Sequence, residues 1–329
     1  MVVPFATLLL REQPRIARAV ESLTAALPSY VRPAAEYALN GGGKRLRPLL
    51  TVLVSHALGG KDKDQDDGVY KIGAAIEMFH VASLLHDDIL DNAPLRRGRE
   101  GTHIRYGVPR TLLTADAMVS RAFQTLAETG DPRYMVCATR AVIGTADGEI
   151  MEIAHQGSTE GGLDGYFTII AGKTACLLRA SCELGALWAG ADEATLGLVA
   201  EYGHNLGMAF QMADDALDFA PSSETGKPEG GDIREGKLTP PINYHMESLD
   251  APARAEFARR FAARDFSDAE IAELVRAVRA GGFQERTLKL ADSFLDKAAA
   301  ALEGFPAGND AQAKAALAKA IEFVRNRTA

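Results

Sequence analysis

Two aspartate clusters carry the most chemistry in this sequence. Asp87, Asp88 and Asp91 form a DDxxD pattern inside an apolar run. Asp214, Asp215 and Asp218 repeat it far along the chain, between apolar residues such as Phe210, Met212, Leu217 and Phe219. On a helix, positions four apart share a face at about 5–6 Å, so Asp87 points with Asp91 and Asp214 with Asp218. Crowded carboxylates repel one another, and burying them is costly unless a cation compensates. Hard oxygen donors of this kind suit magnesium, which commonly bridges carboxylates to substrate phosphates. A single cluster is equally a solvated acidic helix end. Two copies, each set in an apolar helix, argue for metal-holding motifs that face each other across a cavity and hold a diphosphate through several magnesium ions.

A diphosphate needs further positive charge, and candidates occur in clusters. Gly41-Gly42-Gly43-Lys44-Arg45-Leu46-Arg47 places flexible backbone beside three cations, and Arg96-Arg97-Gly98 lies just beyond the first aspartates. The planar fork of arginine matches phosphate oxygens. Lys173-Thr174 follows Gly172, and Lys227 and Lys237 lie in a polar, Gly- and Pro-rich stretch, Ala220 to Pro241. His80 stands two helical turns before Asp87 on nearly the same face, and Gln211 stands three residues before Asp214; each is either a packed side chain or a ligand. The glycine–lysine pieces also invite a nucleotide P-loop reading. That motif needs glycine five residues before the Gly-Lys pair and Ser or Thr after the lysine. Ala38 and Arg45 occupy those places around Lys44, and Phe167 breaks the match at Lys173.

The elements that must position these residues read as helices. Apolar residues recur at three- and four-residue spacing over 15–40, 69–91, 109–128, 132–156, 164–189, 192–219, 251–263, 268–280, 284–303 and 310–326. Asp131-Pro132 suits an N-cap followed by proline, and Ser267 with Glu270 a capping box. Alternating strand patterns are nearly absent, and no linker divides the 329 residues, so one all-α domain over 1–329 is the simplest expectation. A 47% hydrophobic content fills a sizeable core, and 24% charged residues fits a globular protein. The excess of 44 acidic over 36 basic residues, net −8, disfavours nucleic acid or an anionic membrane as a general partner. Cys137, Cys176 and Cys182 form no CxxC pair, so reduced thiols and a cytoplasmic location are expected. The apolar start, Val2 to Leu10, is too short to span a bilayer and should pack as a helix; no other segment approaches a span. Asp62, Asp64 and Asp66 imitate the opening of a calcium loop, but Asp67 takes its glycine position and Gly73 its closing glutamate, leaving a solvated turn. The 220–241 stretch could act as a lid.

Together these pieces resemble the trans-isoprenyl (polyprenyl) diphosphate synthases. GGGKRLRP at 41–48, LLHDDILDNAPLRRG at 84–98, GKTACLL at 172–178, FQMADDALDF at 210–219 and GKPEGGDIREGKLTPP at 226–241 look like that family's signature blocks, in order. The resemblance implies an all-α bundle of long helices around a deep central cavity (the isoprenoid synthase fold), usually a homodimer, binding about three magnesium ions with substrate present. It implies that Lys44, Arg47, His80 and Arg97 bind the diphosphate of isopentenyl diphosphate. Arg96, Lys173, Thr174, Gln211, Lys227 and Lys237 would serve the allylic diphosphate. Asp87, Asp91 and Asp214 would bind metal, with Asp88, Asp215 and Asp218 supporting. Two positions depart from the pattern: Glu152 replaces an expected glutamine, and Asn92 an acid.

The reaction so implied is head-to-tail condensation of an allylic prenyl diphosphate with isopentenyl diphosphate. Small residues at Ala82 and Ser83, where relatives making short products carry bulky aromatics, imply a long product of about C30 to C50 by that analogy. Alternatively, they merely fill helix packing while Phe79 or Phe123 closes the cavity early. A terpene cyclase would carry a different second metal motif and need no GGGKR block, and a purely structural helical subunit would leave the clustered charges unexplained.

Overall fold

The computed structural model describes residues 5–60, 67–222, 228–306 and 310–326. Asp62, Asp64 and Asp66 of the calcium-loop imitation, and Lys227, lie outside these residues. Helices dominate, as the apolar periodicity requires: α1 (Phe5–Ala25), α2 (Arg32–Leu39), α3 (Leu46–Ala57), α4 (Gly68–Leu90), α5 (Thr102–Tyr106), α6 (Val108–Ala127), α7 (Pro132–His155), α8 (Gly162–Ile170), α9 (Cys176–Ala189), α10 (Glu193–Leu217), α11 (Gly231–Glu235), α12 (Pro240–Ser248), α13 (Ala251–Ala263), α14 (Asp268–Ala280), α15 (Phe283–Glu303) and α16 (Ala311–Arg325). The caps form as read. Ser267 and Glu270 make the reciprocal capping box of α14, and Asp131 accepts the Arg133 N–H at 2.9 Å at the start of α7.

Four features differ from the periodicity reading. The helix expected over 15–40 begins at Phe5 and is broken after Ala25, where Pro28 and Pro33 favour a chain break and a fresh helix start. Residues 46–57 form an unexpected helix. Their side chains from Leu49 to Val54 are buried all round, so no polar face exists to create a period. Pro240-Pro241 read as the end of a loop, yet opens α12. The run 164–189 is interrupted by a π-helical turn, Ala171–Ala175. Among the described residues the strands are β1 (Leu95–Arg96) and β2 (Arg99–Glu100), paired antiparallel. Their turn residues Arg97 and Gly98 have φ of 52° and 74°, the left-handed pair that a tight hairpin demands.

Two compact units are formed. The first runs to Val142 and adds Leu177–Gly203 and Ala301–Ala320; α4 is packed there by α1, α3 and α6. With 23 residues, α4 is long and apolar enough to cross a membrane, which corrects the expectation that no such segment existed. Its most apolar window is 72% buried within the fold, and that surround accounts for the apolarity. The second unit comprises Ile143–Cys176, His204–Ala300 and the chain from Ile321. Phe219, Ile233, Phe257, Phe261 and Val275 form the centre of an apolar cluster within it.

Candidate active site

In the first unit the aspartate motif straddles a helix end. Asp87 lies half-buried in the last turn of α4, while Asp91 is its exposed C-cap and donates its N–H to the Asp87 carbonyl at 2.8 Å. Asp88 points elsewhere. It is 2% exposed and accepts from Arg96 Nε at 2.7 Å. The first motif thus divides into two outer carboxylates and one that anchors the arginine hairpin. That hairpin is fixed from the other side by Arg99 Nη1, which donates to the Asn40 carbonyl at 2.9 Å, and by Tyr37, whose hydroxyl donates to the Glu100 carbonyl at 2.9 Å.

The glycine-rich loop meets the hairpin closely. A Cβ on Gly43, whose φ is 131°, would lie 2.5 Å from Arg97 Nη1. Arg47, Arg97 and Arg96 all act electrostatically on His80, and together with burial, the larger cause, they push its imidazole well below its ordinary pKa. His80 is therefore neutral at neutral pH. Glu77, one turn earlier, is held above the usual carboxylate range by burial, against the opposing pull of Arg47, Arg45 and Arg97. Arg47, His80 and Arg97 are thus brought together, with Glu77 as a member that sequence reading missed. Exposed Lys44 lies on the same loop, its carbonyl accepting from Gln13 Nε2 at 3.1 Å.

In the second unit the π turn, α7 and α10 meet through glycines. A Cβ on Gly148 of α7 would lie 2.3 Å from the Lys173 nitrogen, and one on Gly207 of α10 would lie 2.6 Å from Ala175 Cα. Only glycine permits these backbone approaches. Each glycine leads four residues on, along one helix face, to a functional side chain: Gly148 to Glu152, and Gly207 to Gln211. Lys173 Nζ lies 2.6 Å from Glu152 and 2.8 Å from Glu149. Thr174 donates its hydroxyl to Gln211 Oε1 at 2.7 Å, and Gln211 Nε2 donates to Asp215 Oδ1 at 2.8 Å. The hydroxyl of buried Tyr166 donates to the other Asp215 oxygen.

Asp218 lies just past the end of α10 at Leu217, and its carboxylate accepts the N–H groups of Gly231 and Asp232, each at 3.0 Å. This ties the described part of the expected lid to the unit. Arg279 reinforces it by donating to the Phe219 carbonyl at 2.5 Å and pairing with Glu229 at 2.9 Å. Lys237 is delivered to Glu152 at 3.3 Å and to Glu235 at 2.6 Å. Glu149, Tyr166, Asp232 and Glu235 were assigned no role from sequence, although Asp232 and Glu235 lie within the 226–241 block, because their partners are remote in the chain.

The electrostatics show an excess of acid here. Burial raises Asp215 to about 7. Burial, followed by the charges of Asp215 and Asp218, holds Asp232 well above its ordinary value, and Asp232 Oδ2 is buried without a hydrogen-bond partner. Burial also raises Asp218. Such a carboxylate set fits a divalent cation. Among the described residues no three His, Cys, Asp or Glu side chains form a ready-made metal cage. Magnesium is commonly held by one or two carboxylates and completed by water and substrate phosphates. A cavity beside these groups is lined by Tyr166, Ile169, Ile170, Lys173, Thr174, Gln211 and Lys237. Tyr166→Phe removes a donor from buried Asp215 and should cost roughly 1–3 kcal/mol, read as a lower midpoint in denaturant unfolding.

Comparison with known proteins gives a concordant picture. Residues 28–278 match the family model described as polyprenyl synthetase. The chain is 36% identical to heptaprenyl diphosphate synthase component 2 of Geobacillus stearothermophilus over 295 residues, covering 88% of this chain and 90% of that protein. It is 30% identical to the short chain isoprenyl diphosphate synthase of Methanothermobacter thermautotrophicus over 312 residues, 93% of each. The crystal structure of a decaprenyl diphosphate synthase from Rhodobacter capsulatus superposes with a TM-score of 0.90 at 30% identity, covering 99% of this chain and 100% of that one.

Proposed function

The chain belongs to the polyprenyl synthetase family, and on that premise we propose that it is a magnesium-dependent trans-prenyltransferase making a long-chain polyprenyl diphosphate. The observation that carries the proposal is that each aspartate motif has cations beside it on its own unit. Arg96 holds Asp88 in the first, and Lys173 lies in the Gln211–Asp215 cavity of the second.

Asp87 and Asp91, and separately Asp214, are the residues that would hold magnesium. When bound, the metal neutralises charge developing on the departing diphosphate. Lys173, Lys237 and Arg96 donate to the allylic diphosphate oxygens, with Lys227 assisting. Lys44, Arg47, Arg97 and neutral His80 hold the isopentenyl diphosphate. The allylic C–O bond breaks, its electron pair leaving with diphosphate. The double bond of isopentenyl diphosphate forms the new C–C bond to the allylic cation. A proton is then lost to the released diphosphate, which regenerates an alkene. Thr174 and Gln211 would present oxygen dipoles toward the cation, and preorganised dipoles of this kind lower the barrier without reorganising.

Two relatives with long-chain names support a long product, and one with a short-chain name keeps the alternative in view. Ala82 is buried and Ser83 half-buried, its hydroxyl donating to the His80 carbonyl at 2.8 Å. Phe79 and Phe123 meet edge-on at 4.8 Å. The test is product analysis with labelled isopentenyl diphosphate, magnesium and farnesyl diphosphate. A ladder ending between about C30 and C50 is expected. A stop at C15 or C20 leaves the reaction and removes the long-chain reading. Ala82→Phe and Ser83→Phe should each shorten the ladder; an unchanged ladder moves the floor to the Phe79–Phe123 pair. Exposed Val108 and Leu112, one turn apart on α6, support a second copy of the chain as partner. The three cysteines are free thiols, which supports a cytoplasmic location.

A further inference from the structure

The proposed reaction leaves one charge arrangement in the second unit unexplained. Glu149, Lys173, Glu152, Lys237 and Glu235 follow one another in alternating sign, linked at 2.8, 2.6, 3.3 and 2.6 Å. Three carboxylates thus face two ammonium groups, the same two that a diphosphate would need. Glu152 is the member that touches both lysines. Its side chain is 19% exposed, whereas Glu235 at the rim is 53% exposed, so water screens the central carboxylate less than the one at the rim.

The backbone that carries Glu152 is held close to Lys173. Glu152 lies one turn beyond Gly148, whose backbone is seated against Lys173 with no room for a Cβ, so the carboxylate remains near the lysines even when it leaves them. An arriving anion therefore gains only the difference between new ion pairs and those it breaks, and it must also bear the repulsion of a carboxylate that stays nearby. Lys173 and Lys237 are both held above their ordinary pKa, against burial, by Glu152 and its neighbours. Both lysines thus stay charged while their charge is already spoken for.

We propose that Glu152 is a built-in counter-ion that occupies Lys173 and Lys237 until an allylic diphosphate displaces it, and that it holds down the affinity of the site for that diphosphate. The identity of the substrate rests on the prenyltransferase reading; the competition between Glu152 and a diphosphate anion does not. A weakened hold suits repeated condensation, because each released diphosphate must leave the lysines before the next turn. Glu152 acts through the two lysines and is a positioning residue.

The test uses the full chain and inorganic pyrophosphate with magnesium, titrated calorimetrically, beside steady-state kinetics. Glu152→Gln keeps the shape and removes the charge. It should tighten pyrophosphate binding and lower the allylic KM by roughly three- to tenfold, leaving the isopentenyl diphosphate KM unchanged. Glu149→Gln, which loses contact with Lys173 alone, should gain less. Glu152→Asp, whose shorter arm cannot span both lysines, is the second variant and should shift binding in the same direction by a smaller factor. Unchanged or weaker pyrophosphate binding in both Glu152 variants overturns the proposal, as does an equal gain in Glu149→Gln. The titration needs no turnover, so a failure to observe condensation counts against the reaction and leaves the counter-ion test standing.

Discussion

Asp87→Ala is expected to lower magnesium-dependent diphosphate release by roughly 10²–10³-fold while leaving the fold intact. The argument separates the three members of the first motif. Asp88 is committed to Arg96, so its loss would disturb the hairpin as well as the chemistry. Asp91 caps the helix through its backbone. Asp87 is the half-buried member in the last turn of α4, whose backbone is fixed by the apolar side chains behind it, Phe79, Ala82 and Leu85 among them. Alanine is the best helix former, so the melting temperature should change little. The loss should appear in kcat and in the magnesium concentration needed for half-maximal rate. A fall of less than about fivefold, with magnesium dependence unaltered, would remove Asp87 from the metal-holding role.

The second large effect is expected away from any charged group. Gly148→Val places a branched side chain where even a Cβ would lie 2.3 Å from the Lys173 nitrogen and 2.8 Å from the Gly172 carbonyl carbon. Those atoms belong to backbone and cannot rotate aside, so α7 and the π turn must separate. Overpacking of this kind costs typically about 1–3 kcal/mol and occasionally more. Separation also shifts Lys173 and Thr174, which the π turn carries, out of the cavity they line, so kcat should fall along with stability. Gly144→Ala on the same helix is the control. Its Cβ would meet the Cys176 side chain at 3.4 and 3.6 Å, ordinary contact, and helix propensity favours alanine by about 1 kcal/mol. Thermal denaturation and turnover should therefore diverge for the two variants. Equal behaviour would show that the close approach is not what seats Lys173.

These residues also show how far the sequence could be read. The aspartate motifs were legible because their spacing repeats and their apolar flanks demand helices. The basic blocks were legible as charge next to flexible backbone. The bonds from the Gly231 and Asp232 N–H groups to Asp218 were not legible, because α10 ends one residue earlier and those partners lie on a separate segment. The buried helix α3 gave no period to detect, since every face meets protein. Glu152 was noticed as an unusual residue type, but its bridge between Lys173 and Lys237 depends on the approach of remote segments, the one at Gly148 among them. Tyr166 gave no signal, for it acquires its role only when α8 meets α10, and Asp232 was assigned none, because it meets Asp218 only when α11 comes to the end of α10.

The π turn sets a phase relation along the segment that carries it. Tyr166 and Thr174 reach neighbouring residues on one helix, Asp215 and Gln211, which stand a single turn apart. Eight steps of an unbroken α-helix, at about 100° each, would leave Tyr166 and Thr174 roughly 80° out of line. The wider i→i+5 turn absorbs that excess and lets both side chains address the same strip of α10. The count of residues between them is therefore as much a part of the site as their identities. Removing one residue from 171–175 would restore an ordinary helix and rotate everything downstream of it, so this is the stretch where insertions and deletions should be least tolerated.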